Sequence, residues 1–297
     1  MKSDLPTLSA PATPLFDTLV VYGVGLLGGS VALAAKSRHV ARHIVGMGRH
    51  AERLAAAQQA GVIDSYCIDP EQIPPQTDLF VAAAPVDRIA GVIREVIAAL
   101  PANCLVTDVG STKVELAASL ADLTGEQGTI PFVGSHPIAG GDKAGFEHAS
   151  GDLFIGRTCV ICPDHVVESA VIKTERFWRA LGMQIVRMSA QEHDEALATT
   201  SHLPHVAAAA LAGILPDEWQ IVTGAGFRDT SRVAMGPSEL WVSILESNRE
   251  PVVQSLERLK DQLGAFVQAL KTNDSKKLLE LLQAGEIRRK QLEIDES

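Results

Sequence analysis

TLVVYGVGLLG, residues 18–28, is followed after one further glycine by SVALAAKS at 30–37. An apolar run rich in valine breaks into Gly23-Val24-Gly25-Leu26-Leu27-Gly28 and continues with helix-forming residues. Strand, G-x-G-x-x-G and helix in this order form the dinucleotide-binding arrangement. Gly23 allows the tight turn, Gly25 lets the backbone approach a pyrophosphate, and Gly28 lets helix and strand pack closely. The first helical amides, those of Leu26 and Leu27 among them, would then meet the phosphates at the positive end of the helix. The competing reading of the same residues is a Gly-rich turn with no ligand.

Working outward, strand and helix signals alternate. A strand over 43–47 ends at Gly48-Arg49-His50, where NAD-preferring sites usually carry an acidic residue for the ribose hydroxyls. Gly48 supplies no carboxylate. Arg49 is either a clamp for the 2′-phosphate of NADP or a solvated loop charge, so NAD and NADP both stay open. A helix over 51–60 stops at Gly61, a good C-cap. Strands at 78–84, 104–109 and 132–136 alternate with helices at 86–100 and 114–123. Further strands at 157–162 and 184–188, with a helix at 165–181 between them, extend the sheet. This rhythm predicts an α/β fold, a Rossmann-type doubly wound parallel sheet. After Ser189 the apolar spacing is helical throughout, which predicts an all-α C-terminal domain. The expected organisation is a loose tail at 1–17, a dinucleotide-binding domain at 18–189 and a helical substrate and dimerisation domain at 190–297. His202-Leu203-Pro204-His205 predicts a kink in the helix near 190–215. Gly236-Pro237 precedes another helix. In the helix at 250–271, Val252, Leu256, Leu259, Leu263, Phe266 and Leu270 make a heptad stripe, suited to a helical bundle or a subunit interface.

The chemistry-bearing stretch is PFVGSHPIAGG, 131–141. It places His136 at a strand end, where ligands of open α/β sheets sit. An imidazole there can accept a proton near neutral pH. Ser111, in Asp108-Val109-Gly110-Ser111-Thr112-Lys113, falls at a strand-to-helix turn, where it can cap the helix, face the cofactor cleft, or both. Lys113 reads as a solvated first-turn residue without a role.

The formal net charge of -10 excludes the basic footprint of general nucleic-acid or anionic-membrane binders. Residues 1–14 lack the apolar core of an export signal, and the longest apolar run, 206–215, is too short for a bilayer. Cys67, Cys104, Cys159 and Cys162 read as reduced and structural: the last two lie in TCVIC, a strand pattern that points them to opposite faces. A cytoplasmic location follows.

Five ordered motifs, GVGLLGGS, DVGSTK, GSHPIAGG, SHLPH and GFRDTSR, make the chain resemble the prephenate/arogenate dehydrogenases of tyrosine biosynthesis over roughly residues 18–290. The resemblance implies NAD(P)-dependent oxidative decarboxylation of a small dianion: prephenate to 4-hydroxyphenylpyruvate or, as the alternative, arogenate to tyrosine. It implies that His136 accepts the ring hydroxyl proton and that Ser111 hydrogen-bonds near that hydroxyl and the nicotinamide. Arg232 would bind a substrate carboxylate, His205 would face the substrate, and His202 would be structural. Asp229, three residues before Arg232, can orient it if the segment is helical. A homodimer through the helical domain is also implied.

The chain departs from the family at Gly141-Asp142-Lys143. Asp142 could meet the amino group that arogenate has and prephenate lacks, which leaves substrate choice open. Neither the mutase domain that some relatives carry in front nor the regulatory domain that others carry behind fits this length. Three readings compete with the resemblance. Another Rossmann dehydrogenase with a helical domain would not need GSHPIAGG and SHLPH together. A non-catalytic nucleotide sensor would not need Ser111, His136, His205 and Arg232 at once. A metal hydrolase on His136, His202, His205 and Asp229 lacks a compact ligand motif, so no metal is expected.

Overall fold

Strand β1, Phe16–Tyr22, buries Leu19, Val20 and Val21 completely, as a central strand covered on both faces must. The computed structural model describes residues 13–123, 131–141 and 143–294. Around β1 stand β2 (Ala41–Met47), β3 (Ser65–Cys67), β4 (Thr77–Ala82), β5 (Leu105–Asp108), β6 (Phe132–Pro137), β7 (Thr158–Cys162) and β8 (Gln184–Arg187), in the order β3-β2-β1-β4-β5-β6-β7-β8. The first six are mutually parallel and carry the Rossmann order 3-2-1-4-5-6. The short edge strand β3 is an addition to the sequence reading; three residues give no alternation to detect.

The expected parallel sheet needs one correction. β7 runs antiparallel to β6, with His136 opposite Val160, and β8 then pairs parallel to β7. Among the described residues, the segment joining β6 to β7 contains one short 3-10 turn, Phe146–His148, and no crossover helix to return the chain to the same end.

Helices α1 (Leu26–Ser37), α2 (Ala51–Gln59), α3 (Val86–Val96), α4 (Val114–Ser119) and α5 (Glu168–Ala180) connect the strands. Alternate β1 residues feed two cores: Leu19 and Val21 join Phe154, Phe177 and Trp178, while Val20 joins Phe80, Ile89 and Val106. After β8 come α6 (Ala190–Leu197), α7 (Leu203–Gly213), α8 (Ala225–Ser231) and α9 (Ser238–Ser247).

Packing divides the chain into Met1–Asn248 and Arg249–Ser297, whereas the sequence pattern changes at 189/190. The two criteria differ because α6 packs on α4 and β7, so helical composition begins before the sheet unit ends. The second unit is a hairpin of α10 (Arg249–Lys271) and α11 (Ser275–Ile294), turned by Asn273 at φ 54°. The stripe on α10 is buried at Val252 but exposed at Leu263 and Leu270, and α11 exposes Leu279, Leu282, Ile287 and Leu292.

Candidate active site

The glycine loop lies between the ends of β1 and β4, the point where strand order reverses and ligands of this fold bind. Gly23 has φ +87°, and a Cβ there would stand 2.3 Å from the Ala83 carbonyl oxygen. A Cβ on Gly28 would come within 2.1 Å of the Gly23 oxygen, so helix and loop touch through backbone. A Cβ on Gly25 would meet nothing within 4 Å: that glycine faces open space beside the start of α1. No side chain caps α1, and its first amides, those of Leu26, Leu27 and Gly28, have no intrahelical acceptor. These residues therefore fit a pyrophosphate. Arg49 is exposed just past β2, and its charge favours the phenolate of Tyr22 at the end of β1, against the larger effects of burial and Glu95. Beside it, a Cβ on Gly48 would reach only Leu54, at 4.0 Å.

At the same end of the sheet, β5 delivers Asp108 and β6 delivers Ser135 and His136. Asp108 is fully buried and accepts from the Ser135 amide at 2.9 Å, the Gly110 amide at 2.7 Å and Lys113 Nζ at 2.6 Å. Lys113 Nζ also donates to the Gly110 carbonyl at 2.8 Å. The reading of Lys113 as a solvated residue is wrong: it is 2% exposed and welds the DVGSTK loop to the strand carrying His136. The N-cap of α4 is Lys113 itself, so Ser111 does not cap that helix, and among the described residues its hydroxyl makes no hydrogen bond.

His136 is half-buried, and its Nδ1 lies 2.8 Å from Nε2 of His193 on α6. His193 Nδ1 lies 2.7 Å from Asp194 Oδ1. That carboxylate also accepts the Lys113 amide at 2.8 Å and the Val114 amide at 2.9 Å. Burial, with help from the neighbouring Lys113, His193 and His202, holds the His136 imidazole well below the ordinary histidine range. His136 is therefore neutral at pH 7 and able to accept a proton.

The predicted kink appears as a π-helical turn over Ala198–His202, between α6 and α7, with Pro204 in the first turn of α7. Insertions of this kind recur at functional sites because they re-aim side chains within a helix. Buried His202 accepts at Nδ1 from Asn248 Nδ2 at 3.0 Å, and the same amide donates to the Asp194 carbonyl at 2.7 Å. Burial pushes the His202 imidazole down to about 4. His205 is buried and stacks on Trp241 with ring centroids 3.5 Å apart and planes 12° from parallel. Gly236 seals that stack: a Cβ there would stand 2.6 Å from Trp241 Nε1.

The remaining candidates are not drawn into this cluster. Arg232 begins the 3-10 turn Arg232–Met235 and is exposed, as is Asp229 on α8. Among the described residues no ion pair joins them, so the orienting contact expected from helical spacing is absent; the helix gives way to the tighter turn between the two. Asp142 lies outside the described residues. No group of three metal-ligating side chains occurs among the described residues. Sequence reasoning missed His193, Asp194 and Asn248.

Two family models match in tandem: the prephenate dehydrogenase nucleotide-binding domain over residues 31–187, and the prephenate dehydrogenase dimerization domain over residues 189–284. Among curated relatives, the prephenate dehydrogenase of Bacillus subtilis is 29% identical over 264 residues, 85% of this chain and 70% of that protein. The cyclohexadienyl dehydrogenase of Zymomonas mobilis is 29% identical over 292 residues, 95% of this chain and 98% of that protein. A crystal structure of prephenate dehydrogenase from Aquifex aeolicus with hydroxyphenyl propionate and NAD+ superposes with a TM-score of 0.86. It is 26% identical and covers 93% of this chain and 98% of that one.

Proposed function

Because this chain belongs to the prephenate dehydrogenase family, we propose that it carries out NAD(P)-dependent oxidative decarboxylation of prephenate to 4-hydroxyphenylpyruvate, with His136 as the proton acceptor. The observation that carries this reading is the state of His136. Its ring stands at the C-terminal end of β6, one nitrogen is engaged by His193, and burial keeps it neutral. When bound at the glycine loop, the nicotinamide would take the hydride from the ring carbon bearing the hydroxyl. His136 takes the hydroxyl proton, and the ring carboxylate departs as carbon dioxide while the ring becomes aromatic. Ser111, whose hydroxyl makes no hydrogen bond among the described residues, donates to or accepts from the same oxygen. Arg232 supplies a planar, permanently charged partner for a substrate carboxylate. His205, Asp229 and Asp142 are assigned to the substrate side on the family resemblance.

Arogenate is the second reading, favoured by the match to a cyclohexadienyl dehydrogenase over 98% of that relative's length. The test of both is one assay: protein with NAD or NADP and either prephenate or arogenate, followed by nicotinamide absorbance and by the phenolic product. Absence of reduced nicotinamide with all four combinations would reject the proposal.

A homodimer through the helical region 190–297 is supported by the match to a dimerization domain and by the exposed leucines of α10 and α11, an apolar display rare on monomers. Sedimentation showing a monomer at micromolar concentration would reject it. A reducing, cytoplasmic setting fits four free, buried cysteines, and no helix among the described residues is long and apolar enough to cross a membrane.

A further inference from the structure

We propose that His193 and Asp194 are positioning residues for His136, a carboxylate–imidazole–imidazole relay that fixes which ring nitrogen accepts the substrate proton and then shares the resulting charge. The proposal rests on the reading of His136 as proton acceptor and deepens it.

Asp194 accepts two backbone N–H groups, one on each oxygen, from Lys113 and Val114, the pattern of a carboxylate that donates nothing. His193 Nδ1, 2.7 Å from Asp194 Oδ1, must therefore carry a hydrogen. In neutral His193 the other nitrogen, Nε2, is then bare and can only accept. His136 Nδ1 lies 2.8 Å from it and must be the donor. The His136 tautomer left by these two bonds has its hydrogen on Nδ1 and a lone pair on Nε2. Without them, the other tautomer would present an N–H to the substrate hydroxyl and could not take its proton.

When the hydroxyl proton moves to His136 Nε2, the O–H electron pair stays on the substrate oxygen, and His136 becomes an imidazolium in a half-buried site. Its Nδ1–H then points along a 2.8 Å bond to His193. Transfer of that proton to His193 Nε2 leaves His136 neutral and places the cation on His193, bonded directly to Asp194. The nearby Lys113 charge is already matched by Asp108 at 2.6 Å, which leaves Asp194 to meet the new one. The same carboxylate holds the Lys113 and Val114 amides at the foot of the Ser111 loop, so one residue registers both the base and that loop.

The ring nitrogens can be read directly. Selective ¹⁵N-histidine labelling and long-range ¹H–¹⁵N correlation of the full chain, with the His136 signals assigned by their loss in His136→Asn, should show His136 protonated at Nδ1 at pH 7. His193→Leu should redistribute that tautomer and lower kcat at least 10-fold, while the dissociation constant for NAD or NADP stays within about twofold. His193→Gln, which restores an acceptor for Nδ1, should recover part of the rate. The relay is overturned if wild-type His136 carries its hydrogen on Nε2, a result that needs no variant to fold. It is also overturned if a folded His193→Leu keeps normal kcat. Should His136→Asn itself keep normal turnover, the reading of His136 as proton acceptor fails first. If His136→Asn is inactive and His193→Leu is not, only the relay fails.

Discussion

Replacing Lys113 with methionine keeps the length of the side chain and removes its charge. Lys113 is 2% exposed and Asp108 0%, so the variant leaves a carboxylate inside the protein without its cation. Removing one partner of a buried ion pair costs about 3–5 kcal/mol. The two backbone amides that still donate to Asp108 do not replace the ammonium charge. A loss of about 3–5 kcal/mol corresponds to roughly 6–20 °C in melting temperature for a unit of this size. Urea unfolding of wild type and variant at pH 7 measures this. Asp108→Asn combined with Lys113→Met should lose less than Lys113→Met alone, because no charge is stranded. A deficit under about 1 kcal/mol at pH 7 would refute the buried-pair argument.

His136→Asn should lower turnover by roughly 10²–10⁴-fold with cofactor affinity kept. Because the wild-type imidazole is held well below its ordinary range, the acid loss of kcat/KM should fall below pH 6.5 rather than at it. Arg232→Ala should cost about 2–5 kcal/mol in kcat/KM, mostly as a raised substrate KM; unchanged kinetics would remove Arg232 from the site. Gly48→Asp, which has room for the side chain, should shift preference toward NAD, and Arg49→Ala should weaken NADP more than NAD. If neither alters the ratio of kcat/KM values, this loop does not select the cofactor. His202 has a depressed imidazole at about 4, so the unfolded chain binds a proton that the folded chain refuses. Its contribution is intact above pH 6.5 and declines as pH falls toward 4, by about 3 kcal/mol at most. A His202→Gln variant with the same acid sensitivity as wild type would show that the loss arises elsewhere.

Much of the sheet can be read from the chain because periodicity and glycine placement are local. The loop at 23–28 needs no knowledge of the rest, since Gly23 and Gly28 are demanded by the backbone of the turn itself. The antiparallel β7 was not legible: TCVIC looks the same in either direction, and its orientation depends on the connection before it holding no helix. Single polar residues are harder still. Lys113 after Gly110-Ser111-Thr112 has the look of a first-turn charge, and only the partner delivered by β5 makes its burial possible.

Asp194 and His193 are the instructive omission, because a signal for them existed. The inward residues of α6 are Ala190, His193, Asp194 and Leu197, spaced by three, one and three. That is the spacing of an apolar stripe, and half of it is His-Asp. Read by composition, QEHDEA is a solvated helix start, well capped by Ser189 and Glu192. Read by spacing, it is a helix that turns a histidine and a carboxylate toward its neighbours, which is costly unless each finds a partner. The partners come from far along the chain: His136 lies 57 residues before His193, and Lys113 81 residues before Asp194. Neither could be found by pattern, but the demand for them could. A polar pair on the buried stripe of a helix requires a polar counterpart on whatever that helix covers. Here α6 covers β7 and α4, and the counterparts come from β6 beside β7, which already bore His136, and from the turn before α4, which already bore Ser111.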